Sequence, residues 1–384
     1  MIGGSHPKVT VAGGSIGGLC AGLALRGIGA DVTIYEREPG PLATRGAGIV
    51  VQPHLSTLLR DHHAPPLPVT ACRVRRYLDP DGGEGRSQPM PQAFTSWEAI
   101  YVTLRAAFPD ERYVMGAAVT EVESDPGRVA AAIAGHGRVE SDLLIAADGS
   151  NSPLRRRFLP DARPDYAGYV ALRGTLDERD APDRVVAFLD DAFTFCDARS
   201  GGHMLVYLIP GEGADARPGH RRLNWVWYVG AEGEELDRLL TDRDGHRHRS
   251  SLPPGLASPA TVDALRRRAG RELHPILAEL VEVTADPFVQ TIVDVTVPRT
   301  VFGRVMLVGD AAFVVRPHTA GAAAKAAHDA WVLGRSLARA GRNLDAGLSA
   351  AESLQLEYGQ GLASYGVALG TRWAGFRPGP TAAS

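Results

Sequence analysis

The 384-residue sequence predicts a two-domain α/β protein, in which a parallel-sheet domain is joined to a mixed α+β domain built on an antiparallel sheet. Three apolar runs, at residues 8–12, 142–148 and 304–310, each stop beside a glycine. Buried parallel strands show this pattern where their carboxyl ends open onto a ligand crevice. Residues 166–298 instead contain short β-rich pieces broken by Pro and Gly, which is typical of antiparallel strands.

The start of the chain predicts a β-α-β unit. KVTVA at residues 8–12 predicts a strand, residues 16–28 predict a helix, and DVTIY at residues 31–35 predicts a second strand. A glycine-rich turn joins the first strand to the helix, which is the context in which dinucleotide-binding loops occur. The unit therefore predicts a Rossmann-like nucleotide-binding domain.

The glycine-rich turn reads GGSIGG and fits the pattern G-x-G-x-x-G at Gly13 and Gly18, with Ser15 where the second glycine usually stands. Gly13 permits the tight turn and Gly18 permits close helix packing, so that the amides from Ile16 onward face a diphosphate. We expect the Cβ of Ser15 to displace the phosphates somewhat. Glu36 ends the second strand and is the expected acceptor for the adenosine ribose hydroxyls.

Composition argues against several other classes of protein. The formal net charge is -3 without a long block of one sign, so nucleic acid is not an expected partner. No apolar stretch reaches the roughly 20 residues of a membrane span, and the first residues lack a signal-peptide core, so we expect a cytoplasmic protein. The three cysteines lack metal-ligand spacing, and no metal site is predicted.

The third apolar run leads into VGDAAFVVRPHTAGAAAKAAHDA at residues 308–330. This segment resembles the Gly-Asp motif of the p-hydroxybenzoate hydroxylase-like family of FAD-dependent aromatic hydroxylases. The resemblance implies that Asp310 binds the flavin ribityl chain, that Gly309 gives the backbone room, and that Pro317 lies beside the flavin ring. Asp329 matches the family's closing Asp-Ala. The family's Gly-Gln-Gly is altered here, and the residues expected along the flavin are Ala320, Gly321, Ala322 and Ala323.

Residues 147–156, ADGSNSPLRR, resemble the family's Asp-Gly motif, with Asp148, Gly149, Ser152 and Arg155 on matching positions. The motif is associated in the family with both FAD and the nicotinamide donor, so Asp148 and Gly149 are expected in the cofactor site. Taken alone, Asp148-Gly149 is equally explained as an ordinary strand-ending turn.

Further passages extend the resemblance over nearly the whole chain, towards those family members that hydroxylate hydroxypyridines. They are Glu36-Arg37, Pro41-Leu42 and residues 46–53, 166–174, 207–211 and 316–318. Arg37 is therefore expected beside Glu36 among the FAD-binding residues. Trp97 stands where other members carry an arginine that contacts the flavin, and that contact is not expected here.

The nucleotide-binding domain is expected to be assembled from separated pieces of chain. The FAD-binding domain is expected to comprise residues 1–72, 98–165 and 299–384, including C-terminal helices, and the substrate domain residues 73–97 and 166–298.

The resemblance implies a flavin-dependent monooxygenase that hydroxylates an electron-rich hydroxypyridine or phenol through a flavin C4a-hydroperoxide, with O₂ as co-substrate. Its electron donor is expected to be NADPH or NADH. Only one dinucleotide fingerprint is present, so the donor is expected to bind transiently without a Rossmann domain of its own. Homodimeric assembly stays open.

Several side chains are candidates for the chemistry. The expected catalytic residues are Pro317, His318 and Tyr207, and the expected substrate-binding residues are Gln52, His54, Tyr207, Trp225 and Pro317. His54, Tyr207 and His318 are candidate bases because each lies in a passage expected near the flavin face. A packing or surface role is the alternative for each of the three.

Other functions on the same fold stay open. Residues 225–228, WVWY, are similar in part to the W-x-W-x-I-P signature of flavin-dependent halogenases, but the Ile-Pro is absent and a half-buried strand explains the alternation. An FAD-dependent reductase is a second alternative. The altered Gly-Gln-Gly leaves room for a third, an inactive FAD-binding module.

Overall fold

The computed structural model describes residues 6–40, 42, 48–83 and 85–374. The strands of the described residues are β1 (Lys8–Ala12), β2 (Asp31–Tyr35), β3 (Gly48–Val50), β4 (Thr70–Leu78), β5 (Arg86–Ser96), β6 (Tyr113–Val114), β7 (Val119–Asp125), β8 (Arg128–Ile133), β9 (Gly137–Ser141), β10 (Leu143–Ala146), β11 (Asp165–Asp177), β12 (Ala192–Asp197), β13 (His203–Ile209), β14 (Arg222–Gly230), β15 (Ser251–Leu252), β16 (Phe288–Asp294), β17 (Val301–Phe302) and β18 (Val305–Leu307). The helices are α1 (Ile16–Gly27), α2 (Pro53–Asp61), α3 (Trp97–Ala107), α4 (Pro153–Phe158), α5 (Asp183–Leu189), α6 (Gly233–Leu240), α7 (Pro259–Glu272), α8 (Pro275–Val283), α9 (Ala322–Ala340) and α10 (Leu344–Ala374).

The first sheet has the strand order β17-β18-β10-β1-β2-β6, and every neighbouring pair is parallel except β17 with β18. Ala12 lies opposite Ala146, and Ala146 lies opposite Leu307. Parallel strands in this register end at the same edge of a sheet. The turns that follow β1, β10 and β18 therefore open onto one crevice.

Small residues bring the helices close to this sheet and to one another. A Cβ at Gly334 of α9 would lie 3.4 Å from the Cβ of Ala24 on α1. On α10, a Cβ at Gly359 would lie 2.6 Å from the ring of Phe313, so a larger residue there would push the helix away. The core between α1, α9 and the sheet is consequently tight, and Leu19 is completely buried in it.

The second sheet has nine strands in the order β15-β16-β11-β14-β13-β12-β4-β5-β3, antiparallel except for β12 with β4. Side chains along β14 alternate between its faces, because successive residues of a strand point to opposite sides. Trp225 and Trp227 are buried among apolar residues of helices α5 to α8, whereas Val226 and Tyr228 face the crevice. The sheet thus has a helix-covered face and a crevice face.

A third sheet, with the order β7-β8-β9, completes the described strands. Cys20, Cys72 and Cys196 are buried free thiols. None of the helices within the described ranges combines the length and apolarity that crossing a membrane requires.

The predicted fold class is confirmed, with a parallel nucleotide-binding sheet and a second, largely antiparallel sheet. The C-terminal helices expected in residues 299–384 correspond to α9 and α10. Strand β3 and the first residues of β4 belong to the nine-stranded sheet, although the predicted boundaries assign residues up to 72 to the FAD-binding domain. The division into domains itself stays a prediction.

Candidate active site

The turn after β1 is so close to its neighbours that two positions require glycine. Gly13 has φ +103°, and a Cβ there would lie 2.4 Å from the carbonyl oxygen of Ala147. A Cβ on Gly18 would lie 1.9 Å from the carbonyl oxygen of Gly13. Helix α1 can therefore begin at Ile16 directly against the strand, which leaves its first amides turned towards the crevice.

Glu36 holds this turn in place from the end of β2. Its Oε2 accepts a hydrogen bond from the amide of Gly14 at 2.7 Å, and its Oε1 accepts one from the amide of Glu38 at 2.9 Å. The hydroxyl of Tyr113 donates to the carbonyl of Gly14 at 2.8 Å. Ser15 makes no side-chain cap for α1. Glu36 thus shapes the turn in addition to its predicted contact with the ribose.

The carboxylate of Asp148 is engaged within its own turn. It accepts hydrogen bonds from the hydroxyl of Ser152 at 2.5 Å and from the amide of Leu154 at 3.1 Å. Gly149 has φ +85°, which favours glycine at this place. Burial raises the pKa of Asp148, and the bond from Ser152 opposes that rise. The Asp148 side chain therefore fixes the start of α4.

Arg155 links the Asp-Gly turn to the Gly-Asp turn. Its side chain is completely buried, and its Nη1 donates to the carbonyl of Asp310 at 3.1 Å and to that of Ala311 at 3.2 Å. Its Nη2 donates to the carbonyl of Ser150. Because one guanidinium joins the backbones of two turns, the ends of β10 and β18 are held at a fixed separation.

A buried ion pair on α9 clamps the Gly-Asp turn. The amide of Gly309 donates to Oδ2 of Asp329 at 2.9 Å, and its carbonyl accepts from Nζ of Lys325 at 3.0 Å. Nζ of Lys325 lies 2.6 Å from Oδ2 of Asp329, and both side chains are fully buried. This explains the matching Asp at the end of the motif. Lys325 was not singled out from sequence, although its spacing of four residues from Asp329 is the helical ion-pair spacing.

The side chain of Asp310 lines the cavity of the crevice. Its carboxylate accepts no hydrogen bond from any residue in the described ranges. Burial raises the pKa of Asp310, and the nearby cations Lys325 and Arg155 oppose that rise. A carboxylate held in this way is ready to accept hydrogen bonds from hydroxyl groups of a ligand.

The loop before α9 forms the next part of the crevice. Ala320 has φ +50°, a left-handed conformation that is unusual for alanine. Nε2 of Gln52 donates to the carbonyls of Thr319 at 3.2 Å and of Ala320 at 2.7 Å, which stabilises the loop. Helix α9 begins at Ala322 without a side-chain cap, so the amides of its first turn are available to a ligand.

These elements enclose a cavity of ≈ 840 Å³ between the two large sheets. One side, called the cofactor wall, consists of Asp310, residues 314–315 and residues 317–323. The opposite side, called the sheet wall, is the crevice face of the nine-stranded sheet from β4 to β11. Its members include Phe193, Phe195, His203, Leu205, Tyr207 and Tyr228. Residues 48–52 and Trp97 close a third side.

His318 of the cofactor wall touches residues of the sheet wall. Its Nε2 lies 2.8 Å from the hydroxyl of Tyr169, and its ring centroid lies 4.3 Å from that of Tyr228. Burial, with smaller effects of His203 and Arg316, lowers the pKa of His318 to about 3. The imidazole is therefore neutral at physiological pH. A neutral imidazole with so low a pKa orients a ligand by hydrogen bonding and is a weak proton acceptor.

Tyr207 is buried in the sheet wall and stacks on Phe94, with ring centroids 4.5 Å apart. A Cβ at Gly48 would lie 2.6 Å from the Tyr207 ring, so β3 packs directly over it. Burial raises the pKa of Tyr207 well above its ordinary value. Its hydroxyl therefore stays protonated and can donate a hydrogen bond.

Two predicted substrate residues lie away from the cavity, and these assignments are corrected. Trp225 is completely buried on the helix-covered face of the sheet, where its Nε1 donates to the hydroxyl of Thr284 at 2.9 Å. The strand alternation that places Val226 in the cavity excludes Trp225 from it. His54 points from α2 towards α9 and α10, with its ring 5.1 Å from His328.

Most residues of the sheet wall were not predicted from the sequence. Tyr207 was singled out, whereas Leu205 and His203 on the same strand were not, although all three line the cavity. A signal existed, because residues two apart on a strand share a face. The cavity-lining Arg75 lies in a segment without a motif, and Arg173 lies in the passage 166–174, where no role was predicted for it; only the fold shows that both line the cavity.

Comparisons with known proteins agree with this geometry. A family model described as FAD binding domain-like matches residues 166–294. The chain is 37% identical over 356 residues to the 2,6-dihydroxypyridine 3-monooxygenase of Paenarthrobacter nicotinovorans, and the match covers 92% of this chain and 88% of that protein. The chain belongs to the family of FAD-dependent aromatic-ring monooxygenases. The predictions of the family, of a monooxygenase and of FAD as its cofactor are thereby confirmed.

One further relative and two solved structures match this chain over most of its length. The 6-hydroxynicotinate 3-monooxygenase of Pseudomonas fluorescens is 26% identical, covering 87% of this chain and 83% of that protein. The solved structure of 2,6-dihydroxypyridine-3-hydroxylase from Arthrobacter nicotinovorans matches with a TM-score of 0.89 at 34% identity, covering 99% of this chain and 96% of that one. Klebsiella pneumoniae HpxO, complexed with FAD and uric acid, matches with a TM-score of 0.74 at 25% identity, covering 97% and 90%.

The residues present fit a flavin dinucleotide. Gly309 and Gly17 approach each other, since a Cβ on Gly309 would lie 3.7 Å from the Cα of Gly17, so the two turns together form one narrow groove. The groove leads to the carboxylate of Asp310 and then to the start of α9 at Ala322. The groove would receive a diphosphate, the carboxylate a polyol chain, and the start of α9 an electronegative ring edge.

Proposed function

We propose that this monooxygenase hydroxylates an electron-rich hydroxypyridine ring, or a closely related phenol, with O₂ and a reduced nicotinamide nucleotide. The observation that supports this most is the single cavity that joins the cofactor wall to an aromatic sheet wall. The names of relatives support the ring type, since two of them act on 2,6-dihydroxypyridine and 6-hydroxynicotinate.

The protein's contribution to FAD binding is assigned to backbone turns and to a few acceptors. The residues proposed to hold FAD are Gly13, Ser15, Ile16, Gly18, Glu36, Arg37, Asp148, Gly149, Gly309, Asp310, Ala320, Gly321, Ala322 and Ala323. Arg37 is exposed, with its Nε 3.6 Å from Glu38, and could reach the cofactor only from the surface. Bound FAD supplies hydride acceptance and oxygen activation, and the protein supplies position and a dry site.

The sheet wall is proposed to orient the substrate ring. Phe193 and Phe195, with ring centroids 4.3 Å apart, provide an apolar surface that excludes water. Tyr207 is proposed to donate a hydrogen bond to a ring substituent, because its hydroxyl stays protonated. Pro317 and His318 are proposed to face the ring from the cofactor wall, and Gln52 is proposed to act indirectly by holding that wall.

Neither His318 nor Tyr207 has the properties of a strong general base at neutral pH. The pKa of His318 is lowered to about 3, and that of Tyr207 is raised, both because of burial. Loss of the substrate's hydroxyl proton must then be favoured mainly by electrostatic stabilisation of the resulting anion.

Cellular location and donor choice belong to the same proposal. The three buried free thiols support a cytoplasmic enzyme, since reducing compartments keep cysteines unpaired. Both NADPH and NADH are candidate donors, and a homodimer is the simplest assembly to test by light scattering.

The function is tested with purified protein, excess FAD and labelled ¹⁸O₂. We expect a yellow protein whose NAD(P)H oxidation accelerates with 2,6-dihydroxypyridine or 6-hydroxynicotinate, and a product that carries one ¹⁸O atom. Products with two added hydrogens or a chlorine would support the reductase or halogenase alternative. NAD(P)H oxidation that releases only hydrogen peroxide, with every ring tested, would contradict hydroxylation.

The assignment of Asp310 is tested by replacement with Ala. The ribityl hydroxyls would lose a charged acceptor, so FAD should bind roughly 10- to 100-fold more weakly. Asp263→Ala on α7 is the control, because Asp263 is exposed and lies outside the cavity lining. Full FAD retention by Asp310→Ala at submicromolar FAD would contradict the assignment.

A further inference from the structure

An ion pair behind the cavity joins the nine-stranded sheet to the cofactor wall. Asp294 ends β16, and Arg316 directly precedes Pro317 of the cofactor wall. Nε of Arg316 donates to both carboxylate oxygens of Asp294 at 3.0 Å, and its Nη2 donates to Oδ2 at 2.6 Å. Neither of the two residues lines the cavity. The pair can therefore act on the cavity only through the residues that it holds.

The backbone beside the ion pair joins the same two parts of the protein. The amide of Val295 donates to the carbonyl of Val314 at 3.2 Å, and the amide of Val314 donates to the carbonyl of Val295 at 3.0 Å. Val314 belongs to the cofactor wall, and Val295 follows the last residue of β16. We call Asp294, Val295, Val314 and Arg316 the joint.

Burial restricts the movement of the joint. The Arg316 side chain is 1% exposed and that of Asp294 is 25% exposed. Helix α10 covers the arginine closely, since a Cβ at Gly366 would lie 3.3 Å from the Cβ of Arg316 and a Cβ at Gly370 would lie 2.8 Å from its Nη1. A planar guanidinium bound to both oxygens of a carboxylate fixes the angle and the distance between the two groups. The position of Pro317 is thereby tied to the end of β16.

The joint also lies beside the contact that His318 makes with the sheet. Tyr169 is completely buried on β11, which pairs with β16. The guanidinium carbon of Arg316 lies 5.6 Å from the ring centroid of Tyr169, and the ring centroid of His318 lies 5.6 Å from the same point. Nε2 of His318 lies 2.8 Å from the Tyr169 hydroxyl. A shift of Arg316 would consequently move His318 on the tyrosine.

A second buried pair in this protein has similar geometry but lies away from the cofactor wall. Nε of Arg221 donates to Oε2 of Glu178 at 3.0 Å, and its Nη2 donates to Oε1 at 2.5 Å. Glu178 follows β11 and Arg221 precedes β14, so the pair joins two segments of the substrate-binding sheet to each other. Neither residue lines the cavity. This pair provides a control for the joint.

We propose that Arg316 is a positioning residue for hydroxylation, because it holds Pro317 and His318 at a fixed distance from the sheet wall. The inference rests on the proposed function, since it concerns the transfer of oxygen to a ring in this cavity. A displacement of about 1 Å can lower the rate of such a step roughly 100-fold. A loosened joint then favours the reaction of NAD(P)H, a proton and O₂ to NAD(P)⁺ and H₂O₂. The intact joint favours the reaction that also consumes the ring and gives NAD(P)⁺, water and the hydroxylated ring.

The test uses Arg316→Lys, which keeps the charge but loses the planar pair, and Asp294→Asn, both loaded with FAD. With 2,6-dihydroxypyridine as the ring, the product yield is measured per NAD(P)H oxidised, together with H₂O₂ and the Kd of FAD. We expect the yield to fall roughly 10-fold, H₂O₂ to account for the difference, and the Kd of FAD to change by less than about 3-fold. Glu178→Gln should lower the unfolding temperature and keep the wild-type yield. An equal loss of yield in Glu178→Gln would overturn the proposal.

A double variant, Arg316→Met with Asp294→Leu, separates positioning from stability, because it leaves no charge of the pair buried and unpaired. We expect it to unfold near the wild-type temperature and still to release H₂O₂. A wild-type product yield in this variant would show that the pair only stabilises the fold, and would overturn the proposal.

A readout without substrate keeps the test independent of the proposed ring. Arg316→Lys and Asp294→Asn should change the visible circular dichroism of the bound flavin, whereas Glu178→Gln should not. Spectra identical to the wild type in both joint variants would overturn the positioning role. A wild-type enzyme that hydroxylates none of the rings tested would instead contradict the proposed function.

Discussion

The cofactor wall of the cavity is shaped mainly by the backbone, whereas the sheet wall is shaped by side chains. The cofactor wall and the turns behind it rely on backbone geometry, with Gly13, Gly18 and Gly309 where a Cβ would clash or strain the chain. The sheet wall relies on side chains that alternate along strands, such as Val226 and Tyr228. A wall shaped by the backbone suits a cofactor that stays the same. The side chains of the sheet wall can be substituted to suit another substrate with little effect on the fold.

The largest expected effect comes from adding one methyl group to the first turn. Gly13→Ala would combine a left-handed φ of +103° with an approach of 2.4 Å to the carbonyl of Ala147. We expect a loss of at least about 3 kcal/mol in unfolding free energy and no retained FAD. Flavin absorbance after gel filtration and thermal unfolding measure the two effects.

The control for that substitution is Gly137→Ala. Gly137 also has a left-handed φ, of +69°, but a Cβ there would meet nothing within 4 Å. Strain alone should cost about 1 kcal/mol and leave FAD bound. Equal losses in the two variants would show that the close approach between β1 and β10 is unimportant.

The next largest effect concerns the clamp behind the cofactor wall. Lys325→Met would leave the carboxylate of Asp329 buried and unpaired, which should destabilise the protein by about 3–5 kcal/mol. The double variant with Asp329→Leu should recover much of this loss. FAD affinity should stay low in the double variant, because the amide of Gly309 has lost its acceptor. If the double variant recovered both the unfolding free energy and the FAD affinity, Lys325 and Asp329 would have only a packing role.

A smaller effect is expected at the contact between the two walls. The pKa of His318 in the folded protein is about 3, below its ordinary value of 6.5, so the unfolded chain binds a proton more readily as pH falls below 6.5. Stability should therefore decrease from pH 6.5 towards pH 3. Between pH 7 and pH 4.5, the unfolding free energy of His318→Asn should decrease by about 2–3 kcal/mol less than that of the wild type. His246→Asn is the control, since that imidazole is 82% exposed. Identical pH dependence of wild type and His318→Asn in urea unfolding would contradict a neutral buried imidazole.

The smallest expected effect is a gain. Ala320 adopts φ +50°, so Ala320→Gly should relieve strain and stabilise the protein by up to about 1 kcal/mol, with FAD affinity unchanged. Ala322→Gly, two residues further on in α9, should instead destabilise by about 1 kcal/mol, because glycine is unfavourable in a helix. If thermal unfolding showed that Ala320→Gly destabilises the protein as Ala322→Gly does, the left-handed conformation at Ala320 would not be strained.

The difference between the walls also explains what could be predicted from the sequence. The turns at Gly13, Asp148 and Gly309 stand out because backbone constraints allow few residue types, and these constraints recur at fixed spacing. The strands before them were predicted for the same reason. The role of Arg155 could not be predicted, because it joins turns that are far apart in the chain. The spacing of Lys325 and Asp329 indicates an ion pair on a helix, but it does not reveal that the pair holds Gly309.

The sheet wall could be predicted only in part. Tyr207 was found through its motif, but Trp225 was misplaced because an aromatic alternation does not reveal which face of a strand looks into the cavity. The fold decides the face, because β14 lies between β11 and β13 and helices pack on the Trp225 side of the sheet. His54 was misplaced because α2 turns that side chain towards His328.

Three strand-end turns are proposed to hold one FAD with its ring between the cofactor wall and the sheet wall. A crystal structure of the FAD complex would show whether they do. We expect the diphosphate at the amides after Gly13, the ribityl hydroxyls at Asp310, and the ring against residues 317–323, facing Tyr228 across the cavity. A flavin ring bound outside this cavity, or a diphosphate away from the Gly13 turn, would contradict it.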